Sequence, residues 1–240
     1  MARQGWDLTP EMFLAEDEVA RLLGSVRGHL RQTAGRHRLF ARIDELIVEV
    51  LVFSGLRNGE FCALALADTT IGHGRPVFLV HRSPGEQRIV HLPRRVNALV
   101  ERYVRDVRPL FLPDGTDPRD LTQPLLFSEH RRPYKRSGLY RRVVRVLTRA
   151  GLGGRASVQL LRHTYGYLAY LRTGGNLLFV QRQLGHTHPM VTAVYARFAQ
   201  VDYGSLADRV AGALADDANA AAIDTGTALE GEPLAPSSSP

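Results

Sequence analysis

The stretch "LGHTHPMVTAVYARF", residues 184–198, sets a glycine-histidine pair before a proline and then places one tyrosine, Tyr195, nine positions after His186, among apolar neighbours and beside an arginine. Two readings compete: core filling, or a nucleophile held near a site that attracts negative charge. The choice also decides the fold. Upstream, "SVQLLRHTYGYLAYLRTGG" and "NLLFVQRQLGH" carry helical apolar spacing, so the region reads as three helical pieces parted by Gly174-Gly175 and by residues 186–189.

Charge favours the second reading. The net charge of +7 hides an asymmetry, because residues 201–240 hold seven acids against one base, which leaves +13 on residues 1–200. Such a body suits a polyanionic partner. Lys135 is the only lysine. Arginine supplies planar, bidentate phosphate recognition, and a skewed genomic base composition would give the same bias. Cys62 stands alone, which excludes an intrachain disulfide or thiolate metal site and reads as core. No apolar run nears the roughly 20 residues needed to span a bilayer, and the N-terminus lacks a signal-peptide core, so a cytoplasmic protein with no membrane partner is expected.

Outward from the opening stretch, the pattern is helical with one hairpin. "DLTPEMFLAEDEVARLLGSV" reads as a capped turn and a short leading helix. "RHRLFARIDELIVEVLVFSG" spaces Leu39, Ile43, Leu46, Ile47, Val50 and Leu51 at the helical period and is the candidate central helix. "LRNGEFCALALADT" is a further helical piece. "RPVFLVHR" and "EQRIVHLP" form two strands joined through Ser83-Pro84-Gly85. "PRRVNALVERYVRDV" is an amphipathic helix, the proline-rich segment 108–127 is mostly loop, and "SGLYRRVVRVLTRAGLG" is helix again. "DYGSLADRVAGAL" is a last short helix, and beyond Asp217 an acidic, Ala/Gly/Pro/Ser-rich tail is expected to be disordered.

Four segments then carry chemistry. "GLRNGE" sets Arg57 after a glycine break with Glu60 three residues on, where the carboxylate can orient the guanidinium; a surface ion pair is the plainer reading. "LLRHTYGYL" puts Arg162 in an apolar helix, where a buried arginine needs an anionic partner or ligand; a surface position is the alternative. "LGH" places His186 at a glycine-marked helix end, and Tyr195 follows on the next helix.

Arg, β-hairpin, LRHT, LGH and a tyrosine nine residues later, in that order, resemble the catalytic domain of the tyrosine recombinase (phage integrase) family, over roughly residues 12–200. The resemblance implies a mostly α-helical fold with a small antiparallel sheet (α+β), with residues 1–11 as an extension, 12–216 as the catalytic domain and 217–240 as the tail. It implies that Arg57 and Arg162 grip the non-bridging oxygens of one phosphate of double-stranded DNA, that His186 adds a hydrogen bond as charge builds, and that Tyr195 attacks phosphorus. A 5′-hydroxyl would leave and a 3′-phosphotyrosyl link form, which a second strand can reseal without ATP, cofactor or metal. Family members act as tetramers and pass a C-terminal helix to a neighbour, for which 202–214 is the candidate here.

Two positions depart from the family pattern. The hairpin lysine that protonates the leaving oxygen is absent; Arg82 and Arg88 occur there instead. Arg82 is the positional equivalent, yet an arginine is a poor proton donor, and His81 is chemically better suited. Gln159 stands in place of the first histidine of the His-x-x-Arg motif, and a glutamine donates hydrogen bonds but carries no proton charge. Arg88, Arg132, Lys135 and Arg136 are candidate DNA-backbone contacts, with a solvated charged face as the plain alternative. His163 reads as packing within its helix, Tyr165, Tyr167 and Tyr170 as core or interface, and a metal site of His163, His186 and His188 lacks carboxylate or cysteine support. A short stretch precedes residue 12, so no two-domain clamp around DNA is expected. A non-catalytic DNA-binding module of the same fold and a type IB topoisomerase-like nicking enzyme are the competing functions.

Overall fold

Apolar spacing in residues 39–51 sends one helix through the middle of the molecule. In the computed structural model this is α2 (Gly35–Ser54), with eleven of its residues buried. The structure describes residues 8–70, 75–83, 85–198, 204 and 207–210, with Arg82 and Ser83 described by backbone alone. α1 (Glu16–Gln32) lies against α2 through Val19, Leu22, Leu23 and Val26. It is longer than the short leading helix expected from sequence, because helix-forming residues run on past Gly24 and Gly28 to Gln32 without a break. Each aliphatic side chain buried along this seam contributes about 1.5–3 kcal/mol.

After α3 (Asn58–Ala63), β1 (Val77–Ser83) and β2 (Glu86–His91) pair antiparallel, with Phe78 opposite Val90 and Val80 opposite Arg88. They form the mostly helical, two-stranded architecture that the sequence predicts. α4 (Arg94–Arg102) starts after Pro93 and continues into one π-helical turn, Tyr103–Val107. The proline-rich segment that follows is mostly loop, as expected. Arg108 pins it by donating to the carbonyls of Pro118 and Pro124.

α5 (Arg136–Arg149) and α6 (Val158–Arg172) pack on opposite ends of α2, and α7 (Leu177–Leu184) lies against β2. The Gln183 side chain fixes that contact: its Oε1 accepts from the His91 N–H at 2.9 Å and its Nε2 donates to the His91 carbonyl at 3.1 Å. α8 (Pro189–Ala193) is only five residues long, and the chain then tightens into the 3-10 turn Val194–Phe198 that carries Tyr195. The expected third helix is thus cut short, as suits a β-branched run of Val191, Thr192 and Val194.

A second apolar cluster, separate from the main core, joins Leu8, Phe13, Tyr165, Ala169, Val180, Leu184 and Tyr195. Phe13 stacks on Tyr167 at 4.5 Å and meets Phe198 edge-on at 5.1 Å. Residues before position 12, expected to be an extension, therefore contribute Leu8 to the packing beneath Tyr195. The chain divides into compact units 1–199 and 200–240. In the second, Gly204 and residues 207–210 are helical; the rest of the expected last helix and the whole tail from 217 lie outside the described residues. None of the described helices is long and apolar enough to cross a membrane.

Candidate active site

Two glycines with left-handed backbone set the site's walls. α2 ends at Gly55, φ 64°, and a Cβ there would lie 2.4 Å from Tyr165 Cδ1 and 2.7 Å from Leu184 Cδ2. Glycine is thus required both for the turn and for the close approach. The turn delivers Arg57 as the residue before α3. α7 ends likewise at Gly185, φ 63°, which releases His186 into the space beyond.

Arg162 enters that space from α6, 4% exposed. Its guanidinium donates to the Gly55 carbonyl and, at 2.7 Å, to the Leu184 carbonyl, the two helix ends just described. No carboxylate among the described residues forms an ion pair with it. Burial, and then the nearby charge of Arg57, lower its pKa to about 10. Of the two positions the sequence leaves open for it, buried or surface, the buried one is observed.

Among the described residues, Glu60 is the carboxylate that pairs with this group of cations. It takes 2.8 Å bonds from Arg57 Nη1 and from the Arg57 backbone N–H, and a bidentate pair of 2.8 Å bonds from Arg88. Burial pushes its carboxyl up, but the bonds from Arg88 and Arg57 win and bring it down to about 2. Arg88, anticipated as a DNA contact, is turned inward instead: its side chain is 10% exposed and its Nε also donates to the Gln183 carbonyl. A strand residue paired opposite buried Val80 shares that residue's face, so β2 aims Arg88 at α3 rather than at solvent.

Tyr195 is 1% exposed, and its hydroxyl lies 3.0 Å from His163 Nδ1. Burial pushes the phenol up to about 12, against the pull of Arg162. Its ring rests on Gly166, where a Cβ would fall 2.2 Å from Cζ. His163 Nε2 lies 2.9 Å from Gln159 Nε2, one helical turn away. Burial and Arg162 lower His163 to about 4. His186 Nδ1 meets Thr192 Oγ1 at 2.9 Å, and burial together with Arg162, Arg57, His163 and Arg88 lowers it to about 3.

Arg57, Gln159, Arg162, His163, His186 and Tyr195 line one cavity of about 370 Å³ with apolar walls from Leu8, Met12, Val191 and Val194. The arrangement is a guanidinium with no ion-pair partner among the described residues, a second guanidinium held by Glu60, two neutral imidazoles and a phenol around one space. It can hold an anion and present it to a hydroxyl nucleophile.

The remaining predicted residues lie elsewhere. Arg82 is on β1, with its side chain outside the described residues. His81 Nε2 contacts Asp68 at 2.8 Å. Arg132, Lys135 and Arg136 are exposed at the start of α5, and Arg136 passes 3.2 Å from where a Cβ on Gly59 would sit. His188 is exposed, and no group of three or more His, Cys, Asp or Glu able to hold a metal occurs among the described residues. His163 is the residue the sequence reading missed. Its signal was available, since it follows Arg162 directly and stands four positions after Gln159 on the same helix face.

The family model described as "Phage integrase family" matches residues 12–201. Tyrosine recombinase XerC of Lactobacillus leichmannii is 28% identical over 193 residues, covering 80% of this chain and 60% of that protein. XerH site-specific recombinase bound to palindromic difH substrate shares the fold at a TM-score of 0.63 and 20% identity, over 84% of this chain and 53% of that one. The catalytic domain of bacteriophage HP1 integrase does so at 0.51 and 19% identity, over 82% of this chain and 93% of that one. The chain thus spans 50% to 60% of the length of curated relatives it matches.

Proposed function

Because this chain belongs to the phage integrase family, we propose that it is a site-specific DNA recombinase that breaks and rejoins strands through a 3′-phosphotyrosyl intermediate on Tyr195. The observation that carries the reading is a buried Arg162 without a carboxylate, in the same cavity as a buried tyrosine hydroxyl. A scissile phosphate supplies the missing negative charge. Arg162 and Arg57 take its non-bridging oxygens, and Glu60 holds Arg57 in place. His186, kept neutral by burial and then by the surrounding cations, donates a hydrogen bond to the developing charge. Tyr195 Oη attacks phosphorus, and the 5′-oxygen leaves.

Arg82 is assigned to the leaving oxygen as an electrostatic stabiliser. Exposed Arg132, Lys135 and Arg136 are assigned to the flanking backbone, where each phosphate contact adds salt-dependent affinity. The catalytic body runs from residue 12 to 216, and the working species is a tetramer on paired sites. Mobile-element integration is the setting that fits the family.

The test is a nicked suicide duplex taken from the DNA flanking the gene. The expected product is an SDS-resistant protein–DNA adduct with a free 5′-hydroxyl strand, absent in Tyr195→Phe. An adduct formed equally by Tyr195→Phe removes Tyr195 from this role, and DNA binding with no adduct at all selects the non-catalytic module. Relaxation of supercoiled plasmid lacking any such site selects the topoisomerase-like enzyme.

A further inference from the structure

The Tyr195 hydroxyl has a single described side-chain partner, His163 Nδ1 at 3.0 Å, and His163 has a second, Gln159 at 2.9 Å from its other ring nitrogen. Three side chains therefore form a chain from nucleophile to imidazole to carboxamide. Gln159 and His163 are four residues apart on α6, so one helix face builds two members, and the turn after α8 brings in the third.

The carboxamide has two ways to meet the imidazole. With its nitrogen facing Nε2, the amide donates, Nδ1 carries the ring proton, and the phenol oxygen accepts. Turned over, its oxygen accepts from Nε2–H, and the bare Nδ1 lone pair faces the phenol proton. Both fill the same space, and heavy-atom positions do not distinguish an amide's two ends. The second arrangement is that of an activated nucleophile: hydroxyl, base, and a third group that fixes the base's tautomer. Gln159, which carries no proton charge itself, is suited to that third place.

We propose that His163 is the general base that takes the Tyr195 proton, and that Gln159 acts through His163 as the positioning residue; this rests on the recombinase reading above. In cleavage, the Tyr195 Oη–H proton passes to His163 Nδ1 as the Oη–P bond forms. The P–O5′ bond breaks, and the 5′-oxygen takes its proton from solvent water. In rejoining, the 5′-hydroxyl gives its proton back to solvent water as the O5′–P bond forms, the Oη–P bond breaks, and His163 returns its proton to Oη.

The groups facing His163 are Arg162, Arg57, His186, Gln159 and Tyr195 around the cavity. With the cavity empty, burial and Arg162 make His163 a weak base. A phosphate seated between the two arginines offsets their charge and raises its basicity. The base is thus strengthened when substrate is in place.

The test is single-turnover cleavage by the full chain on the nicked duplex, with the 5′-bridging oxygen at the scissile phosphate left as oxygen or replaced by sulfur. A sulfur leaving group departs as thiolate and needs no proton, so only defects in the base survive. His163→Gln is expected to slow both substrates at least about 10²-fold and to erase the fall in rate that the wild type shows on acidification. Gln159→Glu places a carboxylate opposite Nε2–H and is expected to move that fall to higher pH. Wild-type cleavage of the sulfur substrate by His163→Gln overturns the assignment. A slow His163→Gln whose pH profile keeps its shape, with no displacement in Gln159→Glu, also overturns it and leaves His163 a packing residue. If the wild type forms no Tyr195 adduct on either substrate, the recombinase reading falls and takes the base with it; if only His163→Gln behaves as wild type, the base falls alone.

Discussion

Arg142 on α5 and Arg162 on α6 are almost equally hidden from water, at 5% and 4% exposed, yet their surroundings are opposite. Arg142 is saturated. It bonds Asp44 at 2.7 Å, Glu129 at 2.7 Å, the Tyr134 hydroxyl at 2.7 Å and the Phe40 carbonyl at 2.9 Å. Burial alone would lower its pKa, but Tyr134, Asp44 and Glu129 hold it above the ordinary arginine value. Arg162 has two carbonyls and two cationic neighbours, and its pKa falls. The first guanidinium joins α2 to α5 and is neutralised within the fold, whereas the second is held open to a cavity with its charge unspent. An anion is what completes it.

Arg108 shows that carbonyl partners alone do not make a site. It too is fully buried and bonds only to carbonyls, but its guanidinium lies 5.4 Å from the Phe127 ring centre. Burial lowers its pKa while the Tyr103 phenol and Asp120 oppose that, so acidic groups rather than a second guanidinium face it. What separates Arg162 is the company it keeps: Arg57, His186 and Tyr195 around the same space.

Substitutions separate the two arginines. The largest stability loss is expected for Arg142→Met, about 3–5 kcal/mol, because buried Asp44 is left with Arg149 alone and half-buried Glu129 loses its arginine. Urea denaturation reads this directly. Arg162→Met strands only the Gly55 and Leu184 carbonyls, at about 1–3 kcal/mol, and removes repulsion with Arg57. If it proves the more damaging of the two to the fold, Arg162 is a structural residue and the contrast is lost.

Gly166→Ala tests the tyrosine's seat. The new methyl would collide with the Tyr195 ring, costing about 1–3 kcal/mol through overpacking, and adduct yield should fall with it. Gly28→Ala on α1 meets nothing within 4 Å and should raise stability by up to about 1 kcal/mol. Equal effects at the two glycines would show that Tyr195 yields its place freely.

Acid gives a further test. Glu60 titrates near 2 in the folded chain against an ordinary 4.5, so protons favour the unfolded state and its contribution, full above 4.5, is lost as pH falls toward 2. His163 and His186, lowered from 6.5 to about 4 and 3, act in the same direction from pH 6.5 downward. Stability should therefore decline from about pH 6.5, with Glu60 taking over below 4.5 as the two histidines finish titrating. Glu60→Gln should flatten only the lower part.

Sequence made the helices legible because their apolar period is uninterrupted, as in α2, and made the hairpin legible because Ser83-Pro84-Gly85 parts two β-rich runs. The resemblance drew attention to Arg57, Arg162, His186 and Tyr195, which line one cavity. What sequence did not yield was side-chain direction. Arg88 looked like a surface base until the pairing of β2 with β1 turned it onto Glu60. His163 looked like packing because its place beside Arg162 and four residues after Gln159 marks it as a neighbour of the site without saying that Tyr195, 32 positions later, folds back onto it. Tyr195 was expected on a full helix, and the length of α8 was decided by local β-branching.

The account rests on Arg162 meeting the charge of a DNA phosphate. Single-turnover cleavage by wild type and Arg162→Met should be compared on a normal duplex and on one whose scissile phosphate is an uncharged methylphosphonate. The wild type should exceed the variant by at least about 10²-fold on the charged diester, and the advantage should collapse toward unity once the charge is gone. The same advantage on both substrates would contradict the account.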